Sequence, residues 1–246
     1  VLAKALGRKD SELAALIGLW ATQFVQGDLD AGQNTVTRAM TLVEPDSELS
    51  GPAHFGFGGT LLSRGMPEEA LRHFERAVQL SRGITSLTVG TRPDVHSHAY
   101  AAHAHWLLDH ERAALASCNR AITLARTVDN PYSLAVALAY GSVTHQLRGD
   151  MSQLTQTVEE LRELCERYGF AYYREWALIL SAWQRGGQAG ATLARQGIEN
   201  LKSAGSYARM PYWLSLLADL SARENHSDAA RALLDAAVVG GNARHD

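Results

Sequence analysis

A turn signal returns along this chain about every forty residues, and that repeat restricts the fold more than any other feature. Gly27-Asp28, Gly65-Met66-Pro67, Asp109-His110, Gly149-Asp150, Gly186-Gly187 and Asn225-His226 follow one another at intervals of 38, 44, 40, 37 and 39 residues. Each lies between two apolar-periodic stretches long enough for a helix. A fixed period of this length is the mark of a stacked array in which each unit leaves an apolar face for its neighbour to cover. The spacing predicts six helix hairpins, at about 10–45, 51–82, 93–128, 131–168, 170–204 and 210–240.

Proline placement supports these boundaries independently, because proline is tolerated in the first helical turn or just past an end and breaks an interior. Pro52, Pro93, Pro131 and Pro211 are expected to open the first helices of their hairpins, Pro67 a second helix, and Pro45 to close one. Small residues recur where two helices must approach closely, in a pattern that resembles the tetratricopeptide repeat. Gly32, Ala70, Ala114, Ala191 and Ala230 follow the turn, and Ala39, Ala77, Ala121 and Ala237 come seven residues later. Phe74 or Cys118 stands between them as the larger filler, and Gly58, Ala102, Ser142 and Ala218 hold the tight site of the first helix. The pattern implies an all-α, right-handed superhelical solenoid whose first helices line a concave surface. Trp20, Ile179, Leu154 and Leu161 are bulky where small residues are wanted, so hairpins one, four and five are expected to be splayed. The join from Ser81 to Pro93 reads as an exposed loop, a hinge or contact segment.

Composition narrows the classes of function. With 46% hydrophobic and 20% charged residues in 246, the chain has enough apolar material for a folded core. A net charge of -3 with scattered bases offers no bulk attraction to phosphate, so no direct nucleic-acid partner is expected. No run of residues suits a membrane span. Cys118 and Cys165 are too far apart for a disulfide framework or zinc site, and a reducing cytoplasm is the expected location. The chain begins at Val1 rather than Met, which suggests a piece of something longer.

Several motifs invite a chemical reading and yield to a structural one. His96, His98, His103 and His105 share one predicted helix, but they pair at i, i+7, which separates partners by about 10 Å along the axis and defeats chelation within the helix. Gly56-Phe57-Gly58-Gly59 lacks the lysine and hydroxyl of a phosphate loop and fits close helix packing at Gly58 better. Glu159, Glu160, Glu163 and Glu166, with Arg162 and Arg167 among them, read as a solvated helix face. No catalytic signature accompanies the serines, histidines and aspartates. Neither an enzyme activity nor a metal or cofactor is expected.

In the tetratricopeptide register the first-helix positions facing the groove include Ile17, Phe24, Phe55, Leu62, His96, His103, Trp106, Gln146, Tyr173, Trp176, Trp183, Tyr212, Asp219 and Arg223. The binding candidates among them are His96, His103, Trp106, Gln146, Tyr173, Trp176, Trp183, Tyr212 and Arg223. Tryptophan and tyrosine combine contact area with a hydrogen-bonding tip and serve as anchors where partners dock. Aromatics at helical spacing also pack between repeats, and the sequence leaves the two readings open.

The stretches HAYAAHAHWLL (98–108), NPYSLAVALAYGSVTHQLRGD (130–150), FAYYREWALILSAWQRGG (170–187) and ARMPYWLSLLADL (208–220) resemble the C-terminal helical-repeat tail of large bacterial signal-transducing NTPase regulators. That group includes MalT-like and LuxR-type regulators, adenylate-cyclase-linked ATPases and the mycobacterial serine/threonine kinase K. The resemblance covers roughly residues 50 to 235 and implies a sensor that binds an effector or partner and thereby regulates its neighbours. The partners so implied are other domains of the parent chain or a separate protein, with a small-molecule effector and a homodimer as further expectations. A free-standing small-molecule or peptide receptor and a structural dimerisation scaffold are the alternative readings.

Overall fold

The computed structural model describes residues 9–44, 46–47, 49–81 and 92–242. Among them are twelve helices and no strand. They pair as α1 (Lys9–Gln26) with α2 (Leu29–Thr41), α3 (Ser50–Ser63) with α4 (Pro67–Leu80), and α5 (Pro93–Leu107) with α6 (Glu111–Val128). Three more pairs follow: α7 (Pro131–Leu147) with α8 (Met151–Tyr168), α9 (Ala171–Arg185) with α10 (Gly187–Ser203), and α11 (Met210–Arg223) with α12 (Ser227–Asn242). All six expected turns lie between the helices of a pair. Pro52, Pro67, Pro93, Pro131 and Pro211 sit in first helical turns. Pro45 and residues 82–91 of the long join lie outside the described residues. No described helix is long and apolar enough to cross a membrane.

One local device makes most of the turns. Gly27, Gly65, Asp109, Gly149 and Asn225 have φ between 60° and 76°. The N–H of the residue after each donates to the carbonyl five residues back: Asp28 to Gln23, Met66 to Leu61, His110 to His105, Asp150 to His145 and His226 to Ser221, at 2.9–3.0 Å. This left-handed cap satisfies the last carbonyls of the first helix, and aspartate and asparagine tolerate it where glycine is absent. Asp28 and Asp150 then cap the next helix, accepting from the Ala31 and Gln153 N–H groups. The fifth hairpin is different, since Gly186 alone joins α9 to α10.

The chain divides into two compact units, Val1–Phe24 with Asp28–Thr144, and Val25–Gly27 with His145–Asp246. The core of the first is a run of rings along its first helices. Trp20 lies 5.3 Å from Phe24 and 5.4 Å from Phe55, Phe55 lies 5.1 Å from Tyr100, and Tyr100 stacks on Tyr140 at 4.1 Å. The bulk of Trp20 is met by glycine: a Cβ on Gly56 or Gly59 would come within 3.2 Å of its indole, and one on Gly32 within 3.7 Å. The indole N–H donates to the buried Thr60 hydroxyl at 2.9 Å. Gly58 faces Phe74, where a Cβ would come to 2.6 Å, so the GFGG stretch is a packing motif.

In the second unit Trp176, Trp213, Leu154, Leu161, Ile179, Leu180, Ile198 and Leu201 are buried. Trp176 and Trp213 meet edge to face at 5.0 Å. The bulk of Ile179 is also met by glycine, Gly197 on α10, whose Cβ would come to 2.7 Å. Cys118 and Cys165 are buried thiols, and burial pushes the Cys165 thiol up to about 11, which keeps it unreactive. Along α8, Arg162 bridges Glu159 and Glu166 at 2.5 and 2.6 Å on the exposed side.

Candidate functional site

The nine positions expected to face a groove divide by burial. His96, His103, Tyr173, Trp176 and Trp183 are buried, Trp106, Gln146 and Tyr212 are half-buried, and Arg223 is exposed. The His96 ring meets the edge of Phe55 at 5.5 Å. The His103 ring stacks on Tyr140 at 4.8 Å, with its Nε2 3.0 Å from the Tyr140 carbonyl oxygen. Tyr173 and Trp176 meet at 5.5 Å. His96 and His103 join one first helix to the next, as does Trp176 through Trp213, whereas the contact of Tyr173 with Trp176 lies within α9.

Two polar pairs lie along the first helices of the second unit, one half-buried and one exposed. The Tyr212 hydroxyl donates to Gln146 Oε1 at 2.7 Å. Burial pushes its phenol well above the ordinary tyrosine range, so it stays protonated and able to donate. The Trp183 indole N–H donates to Asp219 Oδ2 at 2.6 Å, and Arg223 reaches the same oxygen at 2.5 Å. The Arg223 guanidinium also sits 4.7 Å from the Trp183 ring centroid. Gln146, Trp183, Tyr212, Asp219 and Arg223 come from α7, α9 and α11, the first helices of three consecutive hairpins. Glu175 is a buried carboxylate of this unit, held by Arg174 and by the Asn200 amide at 2.9 Å. Among the described residues no three His, Cys, Asp or Glu side chains converge to hold a metal ion.

The first unit presents a site that sequence reasoning missed. The four histidines of α5 split by face: His96 and His103 turn into the ring stack, while His98 and His105 border clefts between α4 and α6. A two-residue offset on a helix rotates a side chain by about 200°, so the two i, i+7 pairs had to point to opposite sides. Arg92, Asp94, Arg120 and Ser81 border the larger cleft, and no motif marks them. Their meeting depends on α4, α5 and α6 packing together.

Burial holds the His96 imidazole down to about 4 against the ordinary 6.5, opposed by Asp94. It does the same to His54, assisted by His73, whose Nδ1 lies 3.1 Å from the His54 Nδ1 and whose ring stacks on Phe57. Both groups are depressed in the folded chain, so between pH 6.5 and 4 the unfolded chain binds more protons and stability falls as pH is lowered. Urea midpoints should be flat above about pH 7 and drop steadily through that window. His96→Phe, which keeps a ring against Phe55, should make the drop shallower, and an unchanged slope would remove His96 as a contributor.

No family model matches this chain, and no curated protein matches it in sequence. Solved structures do match in fold. The apo form of RapI is 13% identical with a TM-score of 0.72, over 94% of this chain and 83% of that one. A Rap protein complexed with competence and sporulation factor is 12% identical with a TM-score of 0.80, over 99% and 67%. Aspartyl phosphate phosphatase F from Bacillus subtilis is 13% identical with a TM-score of 0.73, over 94% and 60%. The chain thus spans less than two thirds of the last. At this identity the likeness is one of fold, and it places the chain among all-α, tetratricopeptide-like helical-repeat proteins.

Proposed function

We propose that this chain is a non-catalytic regulatory repeat module that binds a protein or peptide partner through the first-helix face of its second unit. The observation that carries the reading is the exposed Arg223 set over the Trp183 ring with Asp219 beside it, on the helix that also carries Tyr212, half-buried and paired with Gln146. An exposed arginine on an aromatic face, beside a carboxylate, suits a peptide backbone and its charged side chains. Among the chains of like fold, one Rap protein is complexed with competence and sporulation factor, which favours a segment of protein as the occupant. The wider setting we infer is cytoplasmic: the sensor part of a multidomain bacterial signalling protein, as the resemblance to NTPase-regulator tails implies.

The test is selection of peptides from a random display library on the immobilised 246-residue chain, followed by titration of the selected peptides with intrinsic fluorescence. Trp183 should report, because its indole N–H is tied to the Asp219 carboxylate that a partner would touch. Arg223→Glu should weaken the selected peptides about tenfold or more at unchanged melting temperature. Peptides indifferent to both Arg223→Glu and Tyr212→Phe would remove this face from consideration. One neighbour in fold bears the name of a phosphatase, so hydrolysis of acetyl phosphate by the purified chain would overturn the non-catalytic part.

A further inference from the structure

In the first unit two clefts of about 420 and 280 Å³ share Val78 and His98 along α5, with α4 on one side and α6 on the other. Together they have the size of an ordinary small-ligand site. In the larger, Arg92 is used up on Asp94: Nε donates to Oδ1 at 3.0 Å and Nη2 to Oδ2 at 2.6 Å, while the Val95 N–H also donates to Oδ1 at 2.9 Å. That buried pair is neutral as a unit. Arg120 borders the same cleft and, among the described residues, has no carboxylate partner. His98 beside it is half-buried, and burial and Arg120 lower its pKa against the pull of Asp94, which favours the neutral ring with one N–H to donate. The Ser81 hydroxyl donates to the Ala77 carbonyl at 2.7 Å, so its oxygen can still accept.

The smaller cleft supplies an independent observation. Ser97 is fully buried on its wall, and its hydroxyl has no hydrogen-bond partner among the described residues. His105 Nδ1, on the same wall, is likewise without one. A buried polar group left unpaired is costly unless something fills the space beside it. Between these atoms and Arg120 the walls carry apolar Val78, Ala101 and Leu124, with Glu75, Gln79 and Ser117 as further polar lining of the smaller cleft.

We propose that the double cleft binds a small organic anion, with its charged group on Arg120 and His98, its apolar body along Val78 and Ala101, and a polar group at its far end paired with Ser97 and His105. A carboxylate and a phosphate monoester share the required chemistry. The site lies in the other unit from the peptide face proposed above, so the two proposals stand or fall separately.

The probes are 3-phenylpropionate and phenyl phosphate, each compared with its para-hydroxyl analogue, titrated into the full chain while the imidazole resonances of His98 and His105 are followed by NMR. At least one probe should shift both saturably, with a Kd below about 1 mM. Saturation by phenyl phosphate alone assigns a phosphate ester, and saturation by both assigns the wider class of anions. Arg120 is exposed, so Arg120→Glu should fold normally and weaken binding tenfold or more, while Arg120→Lys should restore most of it. Ser97→Ala should weaken it without altering the packing. Absence of saturation with both probes, or equal binding by Arg120→Glu, would overturn the proposal.

Discussion

Trp176→Ala is expected to destabilise the second unit by about 3–5 kcal/mol, the range for removing a buried aromatic from a packed core. Trp176 is about 1% exposed, and its ring meets three other rings and one cation: Trp213 at 5.0 Å, Tyr172 and Tyr173 at 5.5 Å, and the Arg209 guanidinium at 5.5 Å. A methyl group in its place leaves a cavity that α9 and α11 cannot close without moving against each other. Trp213→Ala should cost a similar amount, since that ring is fully buried. The double variant should lose less than the sum, because an edge-to-face pair carries about 0.5–1.5 kcal/mol of its own. Urea unfolding of the four chains measures all of this. A loss below about 1 kcal/mol for Trp176→Ala would mean that the ring is not held in a close-packed core. It follows that this substitution cannot serve to locate a binding face, as any loss of binding would come from lost structure.

Gly190→Ala should destabilise by about 1–3 kcal/mol or more, whereas Gly18→Ala should stabilise by about 1 kcal/mol. Alanine is the better helix former at both positions, so the difference lies in what the new methyl meets. At Gly190 it would come to 2.4 Å from the Ala182 carbonyl oxygen, a backbone atom that no side-chain rotation can remove. The cause is the one-residue turn at Gly186, which folds the first turn of α10 directly onto the last turn of α9. At Gly18, within α1, nothing lies within 4 Å. Melting temperatures of the two variants should move in opposite directions, and a stabilised Gly190→Ala would show that α9 and α10 are farther apart at this turn.

Much of the architecture was legible because its signals are local. A left-handed cap needs glycine, asparagine or aspartate at one position, so Gly27, Gly65, Asp109, Gly149 and Asn225 announced their turns. Proline cannot lie inside a helix, so five of the six marked helix starts among the described residues. Small residues at Ala70, Ala77, Ala114 and Ala121 announced close helix pairs in the same way, since only small side chains fit there. Bulk was harder to read. Trp20 and Ile179 stood out as departures, but the glycines that receive them, Gly56 and Gly59 or Gly197, lie on facing helices, and nothing in a linear pattern ties them together.

The candidate site was less legible than the fold. A helical register says which residues share a face of one helix, and of the residues named from it Arg223 is exposed while Gln146 and Tyr212 are half-buried. It does not say how near the next helix stands, which is why Trp176 and Trp183 were named with them although both are buried. The cleft residues were invisible for a related reason. Arg92 and Arg120 come from different hairpin elements, and His98 differs from His96 only by a rotation whose meaning depends on the surrounding helices.

Hydrogen bonds within a few residues and the steric limits of glycine and proline are properties of short segments, so the helices and their turns could be deduced from the order of residues. Whether an aromatic ring is an anchor or a core residue depends on the distance between helices that are forty residues apart in the chain. The cleft that sets Arg120 beside His98, the enclosed Ser97 hydroxyl and the Asp219–Arg223 cover over Trp183 exist only once those distances are set by packing.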